Sequence, residues 1–302
     1  MIFLSKNTKA ILIAGPTASG KSLLALELAY KLNGNIINAD SMQVYDTVRI
    51  ITSRPSDQDM QSAPHYLYGH VSVNQAYSTG KWLNCIAKKI EEVHRKGCLP
   101  IIVGGTGLYF SALIGQFSVM PDIPNNIRKD IRIKLDKYGS YVLHEELSRL
   151  DPNASEKINP ADGQRIARAF EVLTYSGKSI TKFWKKSLNP VIPAESAQKI
   201  IILPQRCDLK KRISERFKKM LDTGAIDEVR DLIAMDLTSD LPITKAIGIR
   251  HIISLLKGEM SYEETLQKGI IATNQYAKRQ ITWFCNKFDE DWNRITSIDE
   301  IL

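Results

Sequence analysis

The chain has 302 residues, of which 25% are charged and 43% hydrophobic, and its net charge is +8. This composition excludes large-scale disorder, and no apolar run approaches the roughly 20 residues that a membrane-spanning helix needs. The positive charge favours a polyanionic partner or an anionic substrate. Because Met1–Lys9 lacks a secretory leader and the four cysteines form no CxxC pair, we expect a cytoplasmic protein with reduced thiols and no membrane partner.

Three short apolar runs in the first part of the chain predict strands. Lys9–Ala14 precedes a Gly/Pro/Ser loop and a helical leucine pattern, Ile36–Ala39 ends in Asp40, and Leu99–Val103 ends in a glycine-rich loop. Strands that alternate with helical segments are typical of a parallel α/β sheet, whose site lies at the strand ends. We therefore predict an α/β fold.

The middle of the chain differs in character. Six prolines between Gly115 and about Ser196 punctuate polar stretches with helical periodicity, which predicts an inserted helical domain. Ile200–Leu203 is predicted to return to the sheet, and Leu209–Phe288 to be mostly helical. The expected organisation is a core of residues 1–117 and 200–302 around an insertion of residues 118–199.

The strongest motif lies between the first predicted strand and the first predicted helix. It matches GxxxxGK[ST], in which backbone N–H groups cradle phosphate oxygens and the helix N-terminus adds positive potential. Lys21 is placed to reach an outer phosphate, and Ser22 to hold Mg²⁺. We expect this P-loop to bind phosphate through Gly15, Pro16, Thr17, Ala18, Ser19, Gly20, Lys21 and Ser22.

The groups that usually accompany such a loop in ATP or GTP hydrolysis are missing. The third strand ends in glycines, where a second magnesium-binding aspartate is expected. Asp40 is the candidate acidic group, with three possible roles: coordinating Mg²⁺ through water, accepting a proton from a nucleophile, or capping the next turn. Thr106 brings a hydroxyl to the same sheet edge. Lys21, Ser22, Asp40 and Thr106 are therefore predicted to share one crevice.

Basic residues concentrate in four further segments. Arg165 and Arg168 share one face of a predicted helix, and Arg206–Lys219 holds seven cations against two carboxylates. Lys245–Arg250 has a cation on each side of a glycine, and Tyr276–Phe284 mixes cations with aromatic residues. Each segment has two interpretations, a solvated or core-forming helix face and a nucleic-acid contact, and periodicity alone does not separate them.

Five sequence blocks occur in the order found in one enzyme family. They are GPTASGKS at Gly15–Ser22, DSMQVY at Asp40–Tyr45, GGTGLY at Gly104–Tyr109, QRIAR at Gln164–Arg168 and AKRQITW at Ala277–Trp283. Through them nearly the whole chain resembles the tRNA dimethylallyltransferases, also called tRNA isopentenyltransferases. The resemblance implies a P-loop NTPase-like core with a helical insertion. It also implies transfer of a dimethylallyl group from dimethylallyl diphosphate to the N6 amine of the adenosine 3′ of the tRNA anticodon, with Mg²⁺ as cofactor.

The resemblance also implies residue roles. Asp40 would be the general base, Thr106 would donate to the leaving diphosphate beside Lys21, and Ser22 would hold the Mg²⁺. The chain would act as a monomer on the anticodon stem-loop. It departs from the family pattern in Arg54, where a lysine is usual, and in Cys285, where an arginine is common. The residues expected to contact tRNA are Asp40, Ser41, Met42, Gln43, Thr106, Arg128, Gln164, Arg165, Ile166, Ala167, Arg168, Lys245, Arg250, Lys278 and Arg279.

Two other functions compete with this interpretation. A small-molecule kinase would use the P-loop for ATP and Asp40 for an acceptor hydroxyl, but it leaves the basic helices unexplained. An RNA-binding module without catalysis explains the basic helices, but gives Lys21, Ser22 and Asp40 no role.

Overall fold

A computed structural model describes residues 7–185, 188–237 and 241–302. The chain divides into two compact units, one formed up to Ile114 and by Val191–Leu302, the other by Gly115–Pro190. The second unit is shorter than the insertion expected at 118–199, because residues 191–199 belong to the unit that contains the sheet.

The first unit is built on a parallel sheet. Among the described residues its strands are β1 (Ala10–Ala14), β2 (Gly34–Asn38), β3 (His65–Tyr66), β4 (Leu99–Gly104), β5 (Ala197–Ile202) and β6 (Asn293–Ile295). They lie in the order β3-β2-β4-β1-β5-β6, and every neighbouring pair is parallel. β1 and β4, in the middle of the sheet, are apolar throughout because both faces of a parallel sheet are covered.

Helices follow most of the strands and form the regular elements of the second unit among its described residues. In the part of the chain that the structure describes they are α1 (Lys21–Leu32), α2 (Asp57–Ser62), α3 (Thr79–Arg95), α4 (Gly107–Leu113), α5 (Asn125–Leu150), α6 (Pro152–Ser155), α7 (Gly163–Ser176), α8 (Ile180–Trp184), α9 (Arg206–Met220), α10 (Ile226–Ala234), α11 (Ile249–Leu256) and α12 (Tyr262–Lys287). None of these helices has the length and apolarity that crossing a bilayer requires.

Two large apolar clusters contribute to the core of the first unit. One joins α1 to a sheet face, where Leu24 and Leu28 pack with Ile11 and Ile101. The other joins the segment after β2 to α9, α10 and α11, and Phe217 of α9 belongs to it. Because α1, β2 and α9 pack into these clusters, side chains from the P-loop, the end of β2 and α9 meet at the carboxyl edge of the sheet.

The second unit has its own core. Leu143 and Leu147 of α5 pack against Ile166 and Phe170 of α7, and α5 is interrupted at Gly139, whose φ is 78°. No strand occurs among the described residues of this unit, as its sequence predicts. It is therefore an independent helical unit with a core of its own.

Candidate active site

The P-loop closes tightly between β1 and α1. Gly20, at the N-cap of α1, has a φ of +94°, a conformation that residues with a side chain rarely adopt. Ser19 is only 1% exposed, and its hydroxyl has no hydrogen-bond partner within the described chain. A buried hydroxyl of this kind needs a partner, so it fits a ligand oxygen in the loop.

Lys21 begins α1 and turns its ammonium back over the loop. Nζ donates to the carbonyl oxygen of Pro16 at 3.1 Å. Burial lowers the Lys21 pKa to about 8, with the nearby Asp40 carboxylate opposing the shift and Arg216 adding to it. The site thus holds an ammonium group that has lost much of its hydration. An anionic ligand would offset that loss by interacting with the charge.

Asp40 is held directly after β2 by a set of hydrogen bonds. Its N–H donates to Asn38 Oδ1 at 2.8 Å, and Asn38 Nδ2 donates to its carbonyl at 3.0 Å. Asn38 is fully buried, and its own carbonyl accepts from Trp82 Nε1 at 2.9 Å. In the carboxylate, Oδ1 accepts the N–H of Met42 at 3.0 Å. Oδ2 is turned toward Gly105, lying 3.2 Å from the point where a Cβ there would sit.

Thr106 meets the Asp40 loop because β2 and β4 are paired neighbours. Its Oγ1 accepts the N–H of Ser41 at 2.9 Å and donates to the Ser41 hydroxyl at 3.2 Å. Its own N–H donates to the carbonyl of Ala39 at 3.2 Å. The structure therefore brings Asp40, Thr106 and Lys21 to one edge of the sheet.

Two helices from the second half of the chain complete this edge. Arg216 of α9 donates to the hydroxyl of Thr17, and burial lowers its pKa to about 10, against an opposing effect of Asp40. Gln280 of α12 accepts the N–H of Thr17 at 2.9 Å and donates to the carbonyl of Gly105 at 2.9 Å. The P-loop thus has a second cation beside Lys21.

Three tyrosine hydroxyls lie within electrostatic range of the same carboxylate. Burial raises the pKa values of the Tyr68, Tyr109 and Tyr276 hydroxyls, and the Asp40 charge adds to each shift. Tyr109 also stacks on Trp82 with ring centroids 4.1 Å apart. The Asp40 charge therefore acts on three tyrosine hydroxyls as well as on Lys21 and Arg216.

The remaining candidate residues of the first unit lie outside this cluster. Gln43 donates through Nε2 to the carbonyls of Thr52 and Ser53 at 2.9 and 2.7 Å, which ties it to a neighbouring turn. Lys245 and Arg250 are exposed. Lys278 and Arg279 line an open pocket of about 540 Å³ on α12, together with Gln275, Thr282, Trp283, Asn286 and Lys287.

The candidates of the second unit differ in exposure. Gln164 and Arg165 of α7 are exposed, whereas Ile166 and Ala167 are buried in the core of the unit, so their side chains do not reach solvent. Arg168 pairs with Glu171 at 2.9 Å, and Arg165 and Arg168 share a pocket of about 330 Å³ with Met120, Lys157, Ile180 and Trp184. Arg128 lies apart from this pocket's lining and pairs with Asp122 at 3.3 Å.

Sequence reasoning missed Asn38, Arg216 and Gln280. For the last two a signal was present, because each is a polar residue on the apolar stripe of its helix. Arg216 stands three residues after Ile213, and Gln280 three residues after Ala277, both of which are buried. A polar group at such a position needs a partner inside the protein.

The strand–GxxxxGKS–helix cradle, at the carboxyl edge of a parallel sheet with a helical insertion, defines a P-loop NTPase-like protein. The family model described as IPP transferase matches residues 43–287. The chain therefore belongs to the IPP transferase family and is a prenyltransferase of the tRNA-modifying class. This confirms the resemblance seen in the sequence blocks.

Individual relatives agree with this assignment. A tRNA dimethylallyltransferase of Rhizobium etli (strain CIAT 652) is 53% identical over 95% of this chain and 96% of its own length. One of Agrobacterium fabrum is 51% identical over 97% and 98%. Among solved structures, a tRNA isopentenylpyrophosphate transferase of Bacillus halodurans has a TM-score of 0.67 at 32% identity, over 95% of this chain and 89% of that one. A eukaryotic dimethylallyltransferase acting on tRNA has a TM-score of 0.77 at 28% identity, over 92% and 70%.

Proposed function

We propose that this chain transfers the dimethylallyl group of dimethylallyl diphosphate to the N6 amine of the adenosine 3′ of the anticodon in tRNA, with release of diphosphate. The observation that carries the proposal is the meeting of Asp40 and Thr106 at one sheet edge with Lys21 and Arg216. Family membership favours this reaction over phosphoryl transfer and over RNA binding without catalysis.

Asp40 serves as the general base. An adenine amine is a poor nucleophile because its lone pair is delocalised into the ring, so a carboxylate that accepts its proton during attack lowers the barrier. Oδ1 of Asp40 is engaged by the Met42 N–H, which leaves Oδ2 on the Gly105 side for the amine. The two hydrogen bonds between the Asn38 side chain and the backbone of Asp40 hold that backbone in place during the reaction.

The P-loop, with Lys21 and Arg216 beside it, binds and stabilises the leaving diphosphate. The bond that breaks joins carbon to oxygen, so negative charge develops on the diphosphate. Lys21 and Arg216 lose part of their hydration on burial, and a developing anion offsets that loss. The unpartnered Ser19 hydroxyl is a further donor at this edge. The Thr106 hydroxyl becomes another when it turns its hydrogen from the Ser41 hydroxyl to the diphosphate.

The residues present fit a Mg²⁺ ion that binds together with the diphosphate. Ser22, in the first turn of α1, is exposed, and its hydroxyl is an oxygen ligand of the kind that Mg²⁺ takes. No group of three His, Cys, Asp or Glu side chains able to hold a metal occurs among the described residues. Ser22 would therefore hold the ion together with diphosphate oxygens and water. The charge of the bound ion would stabilise the leaving group.

The tyrosine rings near Asp40 suit the dimethylallyl group and the adenine. Tyr109 supplies a buried ring near Asp40, and Tyr68 and Tyr276 supply half-buried ones, so that a small apolar group there loses contact with water. The target adenosine must leave the stacked anticodon loop to reach Asp40, at a cost of a few kcal/mol. Contacts elsewhere on the tRNA offset this cost.

The tRNA contacts are assigned to exposed cations. In the second unit Arg165 and its neighbour Gln164 would contact tRNA. In the first unit the contacts would be made by Lys245, Arg250, Lys278 and Arg279. Trp283 lies beside Lys278 and Arg279 in one pocket, and an aromatic ring between cations is typical of sites that bind unpaired nucleotides. We assign the chain to the cytoplasm as a monomer.

Binding measurements with two ligands test the proposal. Calorimetric titrations with Mg²⁺, in the presence and absence of an anticodon stem-loop, should show dimethylallyl diphosphate bound more tightly than ATP. Lys21→Ala should weaken the binding of dimethylallyl diphosphate. ATP bound much more tightly than dimethylallyl diphosphate would support a kinase instead.

A further inference from the structure

Gln280 lies on the buried side of α12, between two loops of the active site. It is 6% exposed, and one side-chain amide makes both of its hydrogen bonds. Oε1 accepts the N–H of Thr17 in the P-loop at 2.9 Å, and Nε2 donates to the carbonyl of Gly105 at 2.9 Å. An amide side chain offers an uncharged acceptor and a donor in one plane. Gln280 therefore joins the P-loop to the glycine loop that precedes Thr106.

Both bonds fall next to groups that act in the proposed reaction. Thr17 is also held through its hydroxyl by Arg216, so its N–H and its side chain are both fixed. Gly105 stands directly before Thr106, and a Cβ at position 105 would lie 2.3 Å from Gln280 Nε2 and 3.2 Å from Asp40 Oδ2. Gln280, the glycine loop and Asp40 are thus packed at contact distance, which leaves little freedom between them.

We propose that Gln280 is a positioning residue that sets the distance between the diphosphate cradle and the Asp40–Thr106 side of the site. It acts through Thr17 and Gly105 and does not touch the substrate. The inference rests on the proposed function, because the two sides must act on the two ends of one breaking bond. A displacement of about 1 Å between reacting groups costs on the order of 10²-fold in rate. Loss of this bridge should therefore reduce turnover far more than it reduces stability.

The test compares Gln280→Met with the matched variant Gln267→Met, which changes an exposed glutamine on the same helix. Methionine is close to glutamine in size and lacks strong hydrogen-bonding groups, so the bridge is lost while the volume is largely kept. We expect Gln280→Met to lower the single-turnover rate on tRNA roughly 10²-fold. The Kd of the Gln280→Met variant for tRNA should stay within about twofold of that of the unmodified protein. The single-turnover rate of the Gln267→Met variant should also stay within about twofold.

Two results would overturn the inference. One is a rate for Gln280→Met within about threefold of the unmodified protein. The other is a rate that falls only in step with the melting temperature, which would make the role purely structural. If Gln280→Met does not fold, Gln280→Asn replaces it, because that side chain keeps the amide but is one methylene too short to reach both partners.

A second readout is independent of tRNA. Titration of inorganic diphosphate with Mg²⁺ reports on the P-loop alone. Gln280→Met should weaken its binding about tenfold, the scale of one lost hydrogen bond, because the P-loop backbone at Thr17 is no longer held in place. Unchanged diphosphate affinity would contradict the bridge. If the unmodified protein bound diphosphate but modified no tRNA, the proposed function would fail, and this titration would still decide the role of Gln280.

Discussion

Raising the pH from 7 to 9 should weaken the binding of dimethylallyl diphosphate about tenfold through Lys21. In the free protein burial lowers the pKa of this lysine from 10.5 to about 8. A bound diphosphate favours the ammonium form, so the pKa in the complex is higher than in the free protein. Binding above about pH 8 is therefore accompanied by proton uptake. The affinity is at its highest well below pH 8 and falls as the pH rises past 8.

The magnitude follows from the two protonated fractions. With a pKa of about 8, roughly nine-tenths of Lys21 is charged at pH 7 and roughly one-tenth at pH 9. If only the charged form binds tightly, the apparent Kd rises about tenfold, equivalent to about 1.4 kcal/mol. The ligand contributes little to this change, because the last ionisation of a phosphate ester lies near pH 6.

Isothermal titration in two buffers of different ionisation enthalpy gives both the Kd and the number of protons taken up. Lys21→Arg is the control, because an arginine stays charged across this range. Its affinity should change little between pH 7 and 9, whatever its absolute value. A flat profile for the unmodified protein, or the same rise in the arginine variant, would refute the role assigned to the Lys21 charge.

Three further changes test other parts of the account. Asp40→Asn should reduce single-turnover transfer roughly 10²- to 10⁴-fold while the binding of both substrates survives, and a parallel loss of diphosphate affinity would reassign Asp40 to the metal. Glu228→Ala should lower the free energy of unfolding by about 3 kcal/mol, because the Glu228 carboxylate accepts the three consecutive N–H groups of Arg49–Ile51. Urea titrations measure this change. The control is Asp231→Ala, an exposed change on the same helix, which should have little effect. The affinity for tRNA should fall steeply with salt, and replacing both arginines of Gln164–Arg168 by alanine should flatten that slope; an affinity indifferent to salt would contradict electrostatic binding.

The main features of the sheet were predictable because its strands are buried on both faces. Ala10–Ala14 and Leu99–Gly104 are apolar throughout, and a GxxxxGKS loop after the first of them identifies the phosphate cradle. The two edge strands were not predictable. His65–Tyr66 has only two residues, and Asn293–Ile295 has two exposed residues out of three, so neither carries a hydrophobic pattern.

The site was predictable only where a local motif carried it. Asp40 and Thr106 follow strands whose ends meet at one edge, which the order of strands and glycines already indicates. Gln280 and Arg216 come from helices more than 170 residues from their partners in the chain, Gly105 and Thr17. Their roles depend on tertiary packing, and the sequence shows only a polar residue on an apolar stripe.

Mass spectrometry of nucleosides tests the central claim most directly. Unmodified tRNA is incubated with the protein, dimethylallyl diphosphate and Mg²⁺, digested to nucleosides, and compared with reactions in which Asp40→Asn or Lys21→Ala replaces the protein. We expect N6-(dimethylallyl)adenosine in the first reaction, at the position 3′ of the anticodon, and far less of it with either variant. The absence of this nucleoside with a folded protein that binds tRNA, or equal amounts with the Asp40→Asn variant, would contradict the account.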